Sequence, residues 1–336
     1  MLDFSVIKKR DTGERAIMKF ATLGHLDNEH LILNQIPKNW IKKNMILSPE
    51  YDLKISKGYF LAIKYTAKEL MDLPREEIRQ NILDVVTFAQ DNLNVELVQL
   101  GALTTSVTDG GIWLSKQKDY SGYINHGDSY TAAITCDTVD KAIRLFKKKY
   151  SDLTISIVGA YGIIGEAVSK ILVPKFKNSI LIGRRKEKLN QLEKKIKGNF
   201  KTTVSMETKK SDIIITATSH PTALLRSEDL KKNAIIIDVS QPTNLSYDIC
   251  LERKDINRFD GGYVDFPYNL PIPYVPKGKL FSCIVEAIMQ AAENEKKNYV
   301  GSIDMKHLQK TKIWGKKYGF VLNELTNFGK PVKIGR

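Results

Sequence analysis

Three glycines, Gly159, Gly162 and Gly165, stand three residues apart directly after the apolar run Ile155-Ser156-Ile157-Val158. A strand, a tight glycine turn and a helix start make a site for a dinucleotide pyrophosphate. Backbone without a Cβ approaches the phosphates, and the unpaired N–H groups of the helix's first turn face their charge. Tyr161, Ile163 and Ile164 fall inside the same cradle. Glycines so spaced also serve plain strand-to-helix turns, but further strand and helix segments follow here, and that context favours a nucleotide site.

The end of the next strand decides which dinucleotide is held. An acid there grips the ribose hydroxyls of NAD, whereas arginine accommodates the 2′-phosphate of NADP. The chain reads Gly183-Arg184-Arg185-Lys186, with no acid before Glu187, which predicts NADPH on Arg184 and Arg185. Thr218 and Ser219 follow a later strand, where ligands bind in such sheets. Their hydroxyls can meet the nicotinamide or its ribose, or belong to an ordinary polar loop.

Cys283 follows a proline- and glycine-containing loop and opens an apolar helix, Phe281-Ser282-Cys283-Ile284-Val285-Glu286-Ala287-Ile288-Met289. A helix N-terminus and nearby lysines raise the thiolate fraction, while Glu286 one turn on opposes it. The residue types leave two readings open, a small buried hydrophobe or a reactive thiol, and composition favours the first. Cys136 and Cys250 have less to recommend them. The three cysteines form no metal spacing and no even-numbered disulfide framework, so no metal is expected and a reducing compartment is. The five histidines are scattered; His25, in Leu23-Gly24-His25-Leu26, stands out slightly as a loop residue after a strand. No G-x-S-x-G elbow supports a serine hydrolase.

These residues need a scaffold. Strand-like Ile180-Leu181-Ile182, Ile213 to Ala217 and Ala234 to Val239 alternate with helical patterns such as Glu187 to Ile196, as in a parallel sheet covered by helices. The fold expected is α/β: an N-terminal α/β substrate lobe over residues 1–150, a Rossmann NADP-binding domain over 151–280, and a helical C-terminal segment, 281–336, packing back across the cleft. In the first lobe Tyr59 to Ile63 and Val95 to Leu100 read as strands, and Arg75 to Asn92 and Thr131 to Tyr150 as amphipathic helices.

At 336 residues the chain can bury two cores. No run approaches the ~20 apolar residues of a membrane span, and Lys8-Lys9-Arg10 makes the first residues too charged for a signal peptide, so a cytoplasmic protein is expected. The formal charge of +14 suits nucleic acid, an anionic membrane surface or an acidic protein, or belongs to solvated helix faces. Without a zinc finger, basic zipper or aromatic-interleaved RNA signature, nucleic acid is the weaker reading.

Over nearly its whole length the chain resembles the long-chain acyl-[acyl-carrier-protein] reductases, which form fatty aldehydes. Leu23-Gly24-His25-Leu26 is similar to the family's G-H-L element, and Leu100-Gly101-Ala102-Leu103-Thr104-Thr105-Ser106-Val107 to its L-G-G-F-S-S-I-V segment. Gly127-Asp128-Ser129-Tyr130-Thr131-Ala132 is similar to G-N-T-H-T-A, Gly159 to Gly165 to G-A-T-G-D-I-G, and Phe281 to Met289 to F-A-C-F-A-E-A-M, whose cysteine is the family's nucleophile. The resemblance reverses the reading of Cys283. It implies that Cys283 takes the acyl group from a carrier thioester and that NADPH reduces the enzyme thioester to aldehyde. Ser129, Thr131 or a backbone N–H near Gly101 are the candidates to meet the oxyanion.

The family's glycine pair is followed by V-E-H-S, whereas Gly261-Gly262-Tyr263-Val264-Asp265-Phe266 places Phe266 at the histidine position. That departure bears on the substrate pocket. The implied acyl donor is an acidic acyl carrier protein, steered by the basic surface, or acyl-CoA; peripheral membrane contact and oligomeric state stay open. Two other classes compete: a shikimate-dehydrogenase-like oxidoreductase without covalent catalysis, and a non-catalytic NADPH-binding regulatory protein.

Overall fold

The computed structural model describes residues 18–27, 31–268 and 275–332. The Lys8-Lys9-Arg10 segment, and residues 269–274 of the proline-rich connection before Cys283, lie outside the described residues.

In chain order the first part contains β1 (Lys19–Leu26), β2 (Met45–Leu47), β3 (Tyr51–Asp52), β4 (Lys57–Thr66), α1 (Ala67–Asp72), α2 (Arg75–Leu93), β5 (Leu97–Leu100), α3 (Leu103–Val107), β6 (Tyr123–Asn125) and α4 (Asp128–Leu145). Its sheet has the order β2-β4-β1-β5-β6, with β3 also on β4. Strands β1, β4, β5 and β6 run parallel, and β2 and β3 run against β4. Helix α2 covers this sheet with Ile78, Ile82, Val85, Val86 and Ala89, a buried stripe at helical spacing. Asn94 ends it in the left-handed conformation, φ 56°.

The second part contains β7 (Thr154–Val158), α5 (Ile163–Leu172), β8 (Asn178–Ile182), α6 (Lys186–Glu193), β9 (Phe200–Thr203), β10 (Ile213–Thr216), β11 (Ile235–Asp238), α7 (Tyr247–Glu252) and β12 (Asn257–Asp260). All six strands are parallel, in the order β12-β11-β10-β7-β8-β9. Counted from β7 this is the doubly wound 3-2-1-4-5-6 order, and ligands bind beyond the strand ends where that order reverses, between β7 and β10. The isoleucine runs of β10 and β11 are buried throughout, because helices cover both faces of a parallel sheet.

The chain then forms β13 (Tyr263–Asp265), β14 (Lys279–Phe281), α8 (Ser282–Ala292), α9 (Met305–Tyr318), β15 (Thr326–Asn327) and β16 (Lys330–Pro331). Helix α8 packs on α4 and on β1 and β5 of the first sheet, and α9 packs on α4 and α8.

Three expectations shift. The Leu23-Gly24-His25 stretch, read as a loop, continues β1, with an irregular register between Gly24 and Leu26 that keeps it paired to β4. Helix α4 begins three residues before Thr131 and ends at Leu145, because Lys147 turns left-handed at φ 51°. The C-terminal segment is not helical throughout: it ends in the hairpin β15–β16, whose turn residues Phe328 and Gly329 have φ of 47° and 73°, as a type I′ turn requires.

Candidate functional site

The two sheets and α8 enclose a cavity of about 1270 Å3. It is lined by Gly159, Tyr161, Gly162, Ile163, Ile164, Arg184, Arg185, Thr218 and Ser219 from the second part, by Thr131 and Asp128 from α4, and by Cys283. Residues spread over more than a hundred positions thus share one space.

The glycine turn has the geometry of a dinucleotide cradle. Gly159 has φ 85°, and a Cβ there would run into the Ala217 carbonyl oxygen. A Cβ on Gly165 would strike the Gly159 carbonyl; Gly165 is buried and does not line the cavity, so it serves the close packing of α5 on β7. Gly162 caps α5, which leaves that helix's first N–H groups facing the cavity end. Arg185 lies over the Tyr161 ring, 5.8 Å from its centre, and Tyr161 in turn packs over Gly183. Among the described residues Arg184 and Arg185 form no ion pair, and Lys188 joins them on the cavity wall. An arginine pair without an acidic partner fits a 2′-phosphate. The residues present fit NADPH. Thr218 donates its hydroxyl to Asn244 Oδ1 at 2.7 Å, and Ser219 Oγ lies 2.5 Å from Ser106 Oγ of α3, which closes the cavity between the two sheets.

Cys283 occupies the first turn of α8. Gly127, with φ 73°, lies so close that a Cβ on it would sit 2.5 Å from the Cys283 Cβ and carbonyl oxygen. The helix start does not deliver a standing thiolate. Burial pushes the thiol up to about 12, the Asp128 charge adds to this, and the N–H groups of Ile284 and Cys283 pull the other way without winning. Lys279, the lysine next before it, is tied to Asp265 at 2.5 Å.

Around Cys283 the structure gathers polar groups that local pattern does not flag. His126 is 1% exposed; its Nδ1 accepts the Asp128 N–H at 3.0 Å and lies 3.5 Å from Asp128 Oδ2. Despite that spacing the two are not an ion pair: burial lowers His126 to about 4 and raises Asp128 well above the usual carboxylate range. Glu286, 0% exposed, accepts Tyr130 N–H at 2.6 Å on one oxygen and His307 Nε2–H at 2.9 Å on the other. It thereby ties the α4 start to α8 and α9.

The expected oxyanion donors are placed as follows. Ser129 is buried and not on the cavity wall. Thr131 is on the wall, but its hydroxyl donates to Gly127 O at 3.0 Å and accepts from Ser282 Oγ at 3.0 Å, so its single proton is engaged. Gly101 N–H donates to Leu23 O at 2.8 Å. His25 lines the cavity, with Nδ1 2.7 Å from Leu26 O, and burial lowers its pKa. Phe266 is 4% exposed and stacks on Phe320, 5.6 Å between ring centres; it is not on the cavity wall. The sequence signal for Asp128 was its place inside the Gly127–Ala132 segment; His126 had none beyond its neighbour Gly127. Among the described residues no group of three or more His, Cys, Asp or Glu is placed to hold a metal ion, and no helix is long and apolar enough to cross a membrane.

Residues 140–259 match the family described as shikimate / quinate 5-dehydrogenase. A long-chain acyl-[acyl-carrier-protein] reductase of Synechococcus elongatus is 25% identical over 183 residues, covering 52% of this chain and 53% of that protein. A glutamyl-tRNA reductase of Methanococcus maripaludis is 30% identical over 145 residues, covering 40% of this chain and 35% of that protein. The chain thus spans about half and about a third of these relatives. Among solved structures, shikimate dehydrogenases of Aquifex aeolicus and Peptoclostridium difficile align at TM-scores of 0.41 and 0.42, with 14% and 12% identity, over 89% and 90% of this chain and 98% of each of theirs. The chain has the fold of an NAD(P)-dependent oxidoreductase, with distant similarity to a long-chain acyl-[acyl-carrier-protein] reductase.

Proposed function

We propose that the chain reduces an acyl thioester, presented by an acyl carrier protein or coenzyme A, to an aldehyde with NADPH, through an acyl group held on Cys283. The observation that carries this reading is that Cys283, at the start of α8, opens into the same cavity as the glycine turn and the arginine pair. The distant similarity to an acyl-[acyl-carrier-protein] reductase supports the substrate class. In this reading residues 1–150 bind the acyl group, 151–280 hold NADP(H), and the segment from 281 closes the cleft.

The Cys283 sulfur bonds to the acyl carbon as the donor's C–S bond breaks, one thioester exchanged for another at small cost. The Ser282 N–H is engaged by Gly262 O, which leaves the Cys283 and Ile284 N–H groups at the start of α8 to meet the oxygen of the acyl carbonyl, where negative charge builds. When bound, NADPH supplies the hydride that the acyl carbon accepts. Cys283 then leaves as its bond to that carbon breaks, and it regains a proton, so each turnover takes up one. Gly127, pressed against the Cys283 Cβ and backbone, and Glu286, which ties α8 to α4 and α9, hold the start of α8 in place for both steps.

The test is intact-protein mass after mixing the full chain with acyl carrier protein bearing a long acyl chain, without NADPH. An added acyl mass that is absent in Cys283→Ala, and lost with aldehyde release on adding NADPH, is expected. No adduct for any chain length would overturn the reading. A second reading, direct hydride transfer to a small polar alcohol or ketone, is favoured by the match to the shikimate / quinate 5-dehydrogenase family and by the protonated resting thiol. It predicts that Cys283→Ala keeps most activity.

A further inference from the structure

A thiol that is protonated at rest must lose its proton as it attacks, and the departing sulfur must gain one. Each carboxyl that bears on Cys283 can be weighed as the carrier. Glu286 is sealed: it is 0% exposed and both its oxygens already accept N–H groups, from Tyr130 and His307. His126 also lines the cavity, but its Nδ1 accepts the Asp128 N–H and its side chain, Nε2 included, is buried, 1% exposed. Asp128 is the most open of the three. It lines the cavity beside Cys283, its side chain is 14% exposed, and its carboxyl takes no hydrogen bond from the described residues. It directly follows Gly127, the residue pressed against Cys283. Of the charged groups it is the one that, when ionised, acts most strongly on the thiol.

We propose that Asp128 is the proton carrier of the acyl-transfer step: one carboxyl oxygen takes the Cys283 thiol proton while the other gives its own proton to the departing sulfur. The inference rests on the thioester reading above. The balance closes without a further reactant. The S–H bond of Cys283 and the donor's C–S bond break, a C–S bond to Cys283 and an S–H bond on the donor form, and the carboxyl ends as it began. A neutral carboxylic acid has both a donor O–H and an acceptor oxygen, so no net charge appears on the carrier in a pocket where burial penalises charge. An asparagine offers the same shape and can neither take nor give that proton.

The experiment uses the full chain and dodecanoyl-coenzyme A without NADPH, following the acyl adduct on Cys283 by intact mass. Alkylation of the same thiol by iodoacetamide is run in parallel. Asp128→Asn is expected to slow acylation by ~100-fold or more, the usual scale of lost acid–base catalysis. Alkylation should hold, because a neutral amide in place of a neutral carboxyl leaves the charge around the thiol unchanged. NADPH titration confirms that the variant is folded. Asp128→Ala with added formate, which restores a carboxyl, should recover part of the acylation rate. Acylation of Asp128→Asn at the normal rate, or acylation and alkylation falling together, would overturn the proposal while leaving Cys283 as acyl carrier. No adduct on the unaltered chain from dodecanoyl-coenzyme A, nor from acyl carrier protein bearing acyl chains of any length, would overturn the thioester reading and the proposal with it.

Discussion

Gly127 lies against Cys283 so tightly that a Cβ on the glycine would sit 2.5 Å from both the cysteine's Cβ and its carbonyl oxygen. Two elements far apart in sequence, the start of α4 and the start of α8, are therefore held at backbone contact, and the contact exists only because position 127 has no side chain. Its φ of 73° adds a second reason for glycine.

Gly127→Ala is expected to cost about 1–3 kcal/mol from the left-handed backbone alone, with a further loss from the clash. Urea unfolding should show the drop. At a temperature where the variant is still folded, Cys283 should also acylate more slowly, since α8 must move away. Unchanged stability would mean that the two helix starts do not meet as described.

Arg184 and Arg185 stand at the end of β8 with no acidic partner among the described residues. Replacing both with alanine removes the charged donors for a 2′-phosphate, each worth about 1.5–3 kcal/mol. Together that is about 3–6 kcal/mol, so NADPH should bind roughly 100- to 10,000-fold more weakly, while NADH binding barely changes. Fluorescence titration with both cofactors measures this, and an equal loss for the two would remove the arginines from cofactor selection.

His126 makes stability depend on pH. Burial lowers it from 6.5 to about 4. Between those values the unfolded chain binds a proton that the folded chain refuses, so stability falls as pH drops through that window, by up to about 3 kcal/mol. Asp128, raised from 3.8, acts in the opposite sense: the folded chain keeps a proton that the unfolded chain releases, and stability falls as pH rises through its window. His126→Gln removes the first effect and leaves the second. The variant should therefore lose less stability than the unaltered chain between pH 7 and pH 5, and equal losses would show that His126 does not titrate as described.

The chain carries a formal charge of +14, and an acyl carrier protein would meet that charge with its own acidic surface. Rising salt should slow reduction of a carrier-bound acyl group by screening the encounter, and leave reduction of a short uncharged thioester unchanged. Equal responses would mean that the positive surface does not steer the acyl donor.

Much of the fold was legible locally. The β7–α5 unit announces itself because glycine spacing, an apolar strand and a helix start lie within a dozen residues, and the isoleucine runs of β10 and β11 mark strands buried on both faces. The cavity-lining positions Gly159, Arg184 and Thr218 were legible for the same reason: each follows a strand end that the pattern itself locates, and Gly162 marks the start of α5. The hairpin β15–β16 escaped because Phe328 takes a left-handed conformation that its residue type does not advertise. The extension of β1 through Gly24 and His25 escaped because a glycine beside a histidine reads as a turn, and only pairing with β4 straightens it.

The sequence by itself determined the parallel sheet, the dinucleotide turn and the basic pair after β8, since each depends on residues close in the chain and on period. It also placed Cys283 in the first turn of a helix. Only the tertiary structure decided what surrounds that thiol. The helix start favours a thiolate over a distance of one turn, but the packing of α4 on α8 half-buries Cys283 and sets Asp128 and Glu286 near it, which raises its proton affinity. Proton affinity is a property of the whole enclosure, and no stretch of chain carries it alone.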